Sequence, residues 1–381
     1  MPKIWLMVYG RLEPEKWFDS ILDMISIWWN QNPSFPFEIY IFGKWSLESR
    51  LISLSHKYPT IHYFWRQSLD YIKQYLPKIQ YMLMPSSFLE TFGLSALNVL
   101  SRWLPVIGYA KWGLDKFILP PFDLTNVQWI NTAWKLYNMI SKIVSDPPKL
   151  NCATFQDIAS EYTPEKWFEN FKKTFGPWKK IMMISDFKTR IGWLETYISD
   201  VQMLLEWKWY EVKSYWRHLP KWRKGRFVKY FGLVWAFINF ISMFNIKRAI
   251  KEFKPDIIRY HSTLRWVWWL WILASKNFEW KKFVMYHDFW YFYPFPHTLN
   301  FVDQVITPLT LRNYLKSANT KNPVKIIAIA FKYLSVYLIK TQLTNNWFKH
   351  LTPSDFMAEI AMRSYKIPKK DIQALPHFIQ E

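Results

Sequence analysis

Glycine is scarce in this sequence: 9 residues of 381, where tryptophan supplies 25. Ordinary proteins carry about 7% glycine, so the shortage excludes glycine-rich linkers and collagen-like repeats. It also leaves few residues that take φ > 0 without steric cost. The single cysteine, Cys152, excludes an intramolecular disulfide and points to a reducing compartment, hence a cytoplasmic location. With one thiol and eight scattered histidines, the sequence offers no metal-ligand constellation. The longest strongly apolar stretch, residues 231–244, falls short of the roughly 20 residues a membrane-spanning helix needs. Met1-Pro2-Lys3 leads straight into a strand-like run, without a signal-peptide pattern.

Acidic residues are few as well, 29 against 50 basic ones, for a net charge of +21. The imbalance is local. Residues 1–177 carry 18 basic and 15 acidic side chains, and residues 178–381 carry 32 and 14. A basic half suits a phosphorylated substrate, an anionic membrane or nucleic acid. No acid occurs between residues 212 and 251, where Lys213, Arg217, Lys221, Arg223, Lys224, Arg226 and Lys229 precede the apolar stretch. Residues 324–343 form a second apolar helix, with Lys325, Lys332 and Lys340. Basic residues beside apolar helices suit peripheral docking on the inner face of an anionic membrane. Each segment equally fits a core helix beside a solvated basic loop.

What is present is an alternation of strand and helix signals. In the first half, apolar runs at 4–9, 37–42, 60–64, 81–85 and 105–107 read as strands. Between and after them, 18–27, 47–56, 69–76, 93–100, 133–144 and 164–175 carry helical periodicity. Apolar strands alternating with amphipathic helices predict a parallel sheet covered on both faces. Gly176-Pro177 marks a boundary, giving domains 1–176 and 177–381. The second half repeats the pattern, with strands at 180–185, 211–215, 255–260, 283–286, 304–307 and 350–352 and a helix at 194–206.

The most informative segment is Met84-Pro85-Ser86-Ser87-Phe88-Leu89-Glu90-Thr91-Phe92-Gly93-Leu94-Ser95-Ala96-Leu97-Asn98. A short strand enters a loop, and the loop enters a helix. A helix N-terminus presents free N–H groups that suit phosphate or sugar hydroxyls, and Glu90 accepts hydrogen bonds from a polyol. The spacing alone also fits an ordinary strand–loop–helix with Glu90 solvated.

This segment resembles the nucleotide-sugar signature of the retaining glycosyltransferases of family 4, which have the GT-B fold. So do Gly10-Arg11-Leu12-Glu13-Pro14-Glu15-Lys16-Trp17, Pro105-Val106-Ile107-Gly108 and Lys111-Trp112-Gly113-Leu114. The resemblance covers nearly all of residues 1–176 and matches the family's C-terminal, donor-binding domain. The second half resembles the acceptor-binding domain at Ile191-Gly192-Trp193-Leu194-Glu195, Trp209-Tyr210-Glu211-Val212, Met285-Tyr286-His287-Asp288, Leu351-Thr352-Pro353-Ser354 and Leu375-Pro376-His377-Phe378. It implies two Rossmann-like α/β domains in an order inverted from the family's. A circular permutant, a fusion of two neighbouring transferases, and a frame cut from a tandem each explain that order.

The resemblance implies roles. Arg11 and Lys16 hold the donor diphosphate, and backbone N–H groups at Phe92, Gly93 and Leu94 cradle the donor. Glu90 contacts the transferred sugar. Asn98 stands where the family has a second glutamate for the ribose. His287 faces the donor sugar, and Gly192, Trp193 and Glu195 form the acceptor-side loop. No metal or cofactor is implied beyond the nucleotide-sugar donor substrate, and the acceptor is a glycan or lipid-linked hydroxyl. The alternatives are a non-catalytic fragment of two transferases and a basic nucleic-acid binder, which would need the tryptophans for stacking.

The tryptophans fall where this family has glycine: Trp17, Trp112, Trp193 and Trp209 sit in loop or turn settings, as does Trp45. Codon UGA is glycine in some bacterial codes and tryptophan in others. The expectation is that most of these tryptophans are glycines of the natural chain, with Trp167, in a helical pattern, a genuine one. A truly Trp-rich carbohydrate or membrane binder is the other reading.

Overall fold

The structure, a computed structural model, describes residues 3–10, 18–31, 37–44, 48–65, 67–86, 90–127, 131–185, 193–216, 240–261, 269–278, 281–293, 309–317, 320–345 and 348–379. It is a mixed α/β fold with two parallel sheets, each built in the Rossmann manner. Among the described residues the first compact unit runs to Lys166 and includes Phe378 and Ile379, and the second runs from Trp167 to His377.

In the first unit, strands β1 (Ile4–Tyr9), β2 (Phe37–Phe42), β3 (Ile61–Phe64), β4 (Tyr81–Met84) and β5 (Val106–Gly108) pair in the order β3-β2-β1-β4-β5. All pairs are parallel, with Ile4 opposite Phe37 and Met82 opposite Val106. Strand alternation sends side chains to two cores. Leu6, Ile39, Ile41 and Leu83 face α1 (Phe18–Gln31) and α5 (Thr132–Ser145). Met7, Tyr40, Met82 and Val106 face α3 (Leu69–Lys73) and α4 (Leu94–Leu100). Burial on both faces explains why these strands read as continuous apolar runs. Helix α2 (Glu48–Lys57) follows β2, and α6 (Cys152–Ser160), without a clear sequence signal, packs near α4.

Helix α7 (Pro164–Phe175) has a pronounced apolar stripe. From Trp167 on it belongs to the second unit, so the division falls ten residues before Gly176-Pro177. The cause is aromatic packing: Phe171 meets Tyr210 at 5.7 Å and Phe175 meets Phe283 at 4.2 Å between ring centroids.

The second sheet holds β6 (Lys180–Ser185), β7 (Glu211–Trp216), β8 (Ile257–His261), β9 (Lys281–Met285), β10 (Phe348–Thr352) and β11 (Ile372–Ala374), in the order β11-β10-β9-β8-β6-β7. Helix α8 (Trp193–Trp207) joins β6 to β7. Helices α9 (Phe240–Phe253), α10 (Trp269–Ala274), α11 (Leu311–Ser317), α12 (Pro323–Asn345) and α13 (Asp355–Tyr365) occur on the chain's return across the sheet. Right-handed crossovers place these return helices on the face opposite α8. The expected strand at 304–307 lies outside the described residues. Asp256 anchors the start of the sheet by accepting the amides of Lys179 and Lys180 at 3.0 and 2.8 Å.

Candidate functional site

In open α/β sheets, ligands bind beyond the carboxyl ends of the strands, where strand order reverses. In the first sheet that point lies between β1 and β4. Gly10 ends β1 at φ +137°, and a Cβ built there would lie 3.7 Å from Ser95 Oγ, in the first turn of α4. The end of β1 therefore rests against the start of that helix.

The segment after β4 meets the segment after β5. Ser86 is buried, and its hydroxyl lies 3.5 Å from Glu90 Oε1 as donor. The Gly113 amide donates to the Glu90 carbonyl at 3.0 Å. A Cβ on Gly113 would stand 2.6 Å from that carbonyl oxygen and 2.7 Å from the Phe92 nitrogen. Gly93 caps α4 in the left-handed region at φ +86°, where a side chain would also meet Leu114. A Cβ on Gly108 would fall 2.3 Å from the Met84 carbonyl oxygen. Gly108 and Gly113 thus stand where backbone meets backbone.

Of the residues expected on the donor side, Glu90 and Asn98 are half-buried. Glu90 lies in the loop, four residues before α4 begins, so its relation to Asn98 is set by loop folding rather than by one helix face. The Asn98 carbonyl accepts from Ser101 Oγ at 3.0 Å and Arg102 Nη1 at 2.9 Å. The Phe92 ring is buried edge-on against Phe117 and Tyr162, so only its backbone is available to a ligand. Arg11, Lys16 and Gly192 lie outside the described residues; Trp193 opens α8 and Glu195 lies within it.

Ser86 and the Gly10–Ser95 approach are additions that sequence spacing did not single out. Beside the loop after β5, the Lys111 and Lys135 ammonium groups lie 5.9 and 5.5 Å from the Tyr109 ring centre. Burial first, then Lys111, lowers the Lys135 pKa.

In the second unit His287 is fully buried beyond β9. Its Nε2 lies 2.9 Å from Nδ1 of His261, which ends β8. His377 stacks on His287 at 5.5 Å, and Tyr197 meets both rings edge-on. Arg259 donates to the Tyr197 hydroxyl at 3.1 Å. Burial, then the neighbouring positive Arg259, holds the His261 pKa well below its ordinary value. Burial also lowers His287, with its histidine neighbours adding to the effect. A neutral imidazole pair results, able to share one proton. His261 and His377 were not foreseen; a histidine ending an apolar strand was the available signal.

The tryptophans supply a further finding. Among the described residues, five that are not glycine have positive φ, and three of them are Trp103, Trp112 and Trp209, at 62°, 59° and 65°. After α4, Trp103 donates to Leu100 and Leu104 donates to Val99. After α8, Trp209 donates to Glu206 and Tyr210 donates to Leu205. Both patterns are Schellman motifs, with tryptophan in the left-handed position that glycine usually fills. Trp167, by contrast, is buried within helix α7.

No curated protein matches the chain. Solved structures that resemble it include the GtfA/B complex, with 20% identity, 45% of this chain and 36% of that one covered, and a TM-score of 0.37. The C-terminal domain of the group 1 glycosyltransferase LpcC from Francisella tularensis shows 14% identity, 42% and 86% coverage, and a TM-score of 0.33. Anabaena HepE, in complex with UDP and glucose, shows 16% identity, 42% and 44% coverage, and a TM-score of 0.32. The matched part therefore spans less than half the length of the first and third of these proteins. Residues 2–123, which hold the first parallel sheet and the loops after β4 and β5, match the family model described as Glycosyl transferases group 1.

Proposed function

We propose that the chain is a GT-B-type glycosyltransferase that moves a sugar from a nucleotide-diphosphate donor to an acceptor hydroxyl, with retention. The observation that carries this is the family match over residues 2–123, which contain the Gly10–Ser95 approach at the switch point and the close contact of Gly113 with Glu90 and Phe92. Glu90 positions the transferred sugar, while Asn98 meets the ribose without a charge. Arg11 and Lys16 neutralise the diphosphate and stabilise its departure. By the same resemblance His287, in the acceptor-binding unit that follows the donor unit in the chain, is assigned to the donor sugar. The acceptor is a cell-surface glycan or a lipid-linked hydroxyl on the cytoplasmic side.

The test is binding and transfer with UDP-glucose, UDP-N-acetylglucosamine and GDP-mannose, measured by calorimetry and by release of nucleoside diphosphate. Saturable binding of one donor, abolished turnover in Glu90→Gln and a retained anomeric configuration are expected. Binding without any turnover favours the non-catalytic fragment instead, and binding of single-stranded nucleic acid alone favours the third reading.

We further propose that Trp103, Trp112 and Trp209 occupy glycine positions of the natural chain. Left-handed φ in two Schellman motifs supports this, because an aromatic residue there is strained. Peptide mass spectrometry on protein from the source cells, or the codons at these positions, decides it. UGG at Trp103 and Trp209 sinks the idea.

A further inference from the structure

Helix α12 is apolar on two opposite sides. Val336, Ile339 and Leu343 are buried, and α12 packs against α10, α11 and β10. On the other side Ile327, Phe331 and Leu334 are 59, 55 and 43% exposed. These three recur at helical spacing, so they form one stripe. The segment Lys325–Thr344 is long and apolar enough to cross a membrane. Its buried side ties it to the sheet, which suits a helix lying on a surface rather than spanning one.

Helix α9 packs beside α10. Between them lies a cavity of about 540 Å³, with Lys247, Lys251 and Lys276 around an apolar floor that includes Met243 and Ile250. Phe244, on α9, is 62% exposed. No Asp or Glu occurs in residues 212–251, which carry ten Lys and Arg, or in residues 304–354, which carry seven. No tryptophan occurs in α9 or α12, and none of the residues that line the cavity is a tryptophan, although α10 itself holds Trp269 and Trp271.

We infer that the α9–α10–α12 layer docks on an anionic phospholipid bilayer, with exposed Phe244, Ile327, Phe331 and Leu334 entering the headgroup region and the three-lysine cavity receiving a lipid phosphate. Charge selects this occupant. A second copy of the chain would bring the same positive field and be repelled. Nucleic acid has no use for aliphatic Ile327 and Leu334, because base stacking needs planar side chains. An anionic bilayer answers both features, apolar insertion and phosphate attraction.

The test is co-sedimentation of the full chain with vesicles of phosphatidylcholine, alone or mixed with phosphatidylglycerol. Binding is expected only to the mixed vesicles, weakening as salt is raised. Lys247→Gln with Lys251→Gln should weaken it about tenfold or more, and Phe331→Glu with Leu334→Glu should weaken it comparably, with circular dichroism unchanged. The lysine pair is exposed on α9, so it serves if the α12 variant misfolds. Equal binding to neutral vesicles, no binding to either kind, indifference to the lysine substitutions, or displacement by single-stranded RNA would each overturn the proposal. Transferase activity does not enter the readout, so failure here leaves the donor reading standing.

Discussion

The Gly113 amide donates to the Glu90 carbonyl at 3.0 Å, with no room for a Cβ between the two segments. That one bond ties the loop after β5 to the loop that carries the proposed sugar-binding carboxylate. Gly113→Ala should therefore destabilise the first unit by about 1–3 kcal/mol and weaken donor binding together with it. Urea unfolding read by circular dichroism, beside calorimetry, checks this. An alanine variant with unchanged midpoint and affinity would show that the segments separate freely.

Trp209 is 87% exposed and left-handed. Its indole gains little from burial, while its backbone bears a cost of about 1–2 kcal/mol for a side chain in that region. Trp209→Gly should raise the unfolding free energy by up to about 1 kcal/mol after the extra freedom of the unfolded chain is counted, read as a higher urea midpoint. A lower midpoint would mean that the indole contributes packing that its exposure conceals.

Glu90 is half-buried and lies outside any helix or strand, so Glu90→Gln should leave the fold intact. On the proposed function, transfer should fall by about a hundredfold or more, with the thermal midpoint unmoved. Full turnover in this variant would remove Glu90 from the sugar site.

Asn98 offers the ribose only neutral hydrogen bonds. A carboxylate makes the stronger charge-assisted kind, worth about 1 kcal/mol more. Asn98→Glu should tighten nucleoside diphosphate binding about fivefold, with little effect on turnover at saturating donor. Weaker binding would place the ribose elsewhere.

Burial, followed by the Arg259 charge, pushes the His377 pKa down to about 3, and burial pushes His350 down to about 4. Both are neutral in the folded chain near neutral pH, whereas an unfolded histidine titrates near about 6.5. Below that value the unfolded chain takes up protons that the folded one refuses. Stability is therefore full above about pH 6.5 and falls as the pH drops toward 4, by about 1.4 kcal/mol per pH unit for each such histidine. Urea midpoints taken between about pH 7 and pH 5 should decline steadily. A flat profile would mean that these rings are hydrated.

The strands of both sheets were largely legible because residues such as Leu6, Ile39 and Met182 are buried where two-sided packing demands apolar runs. β11 was not: it has three residues, includes exposed Gln373, and exists only through pairing with β10. Helix α7 showed its apolar stripe in the sequence but not the sheet that covers it. Periodicity gives the face, and only packing gives the partner. Glu90 was singled out by the resemblance of its segment, since loop and helix signals alone fit a solvated carboxylate equally well. Its bond to Gly113, and the meeting of His261, His287 and His377, join residues far apart in the chain, and no local pattern encodes them.

The sequence by itself determined the alternation of strand and helix, the parallel class of both sheets and the basic character of the second half, because these follow from local periodicity and composition. Tertiary structure decided the strand order, hence the switch point where Gly10 meets Ser95, and it decided which backbone turns are left-handed. Those outcomes depend on hydrogen bonds between strands and on close backbone contacts, which form only when distant segments come together.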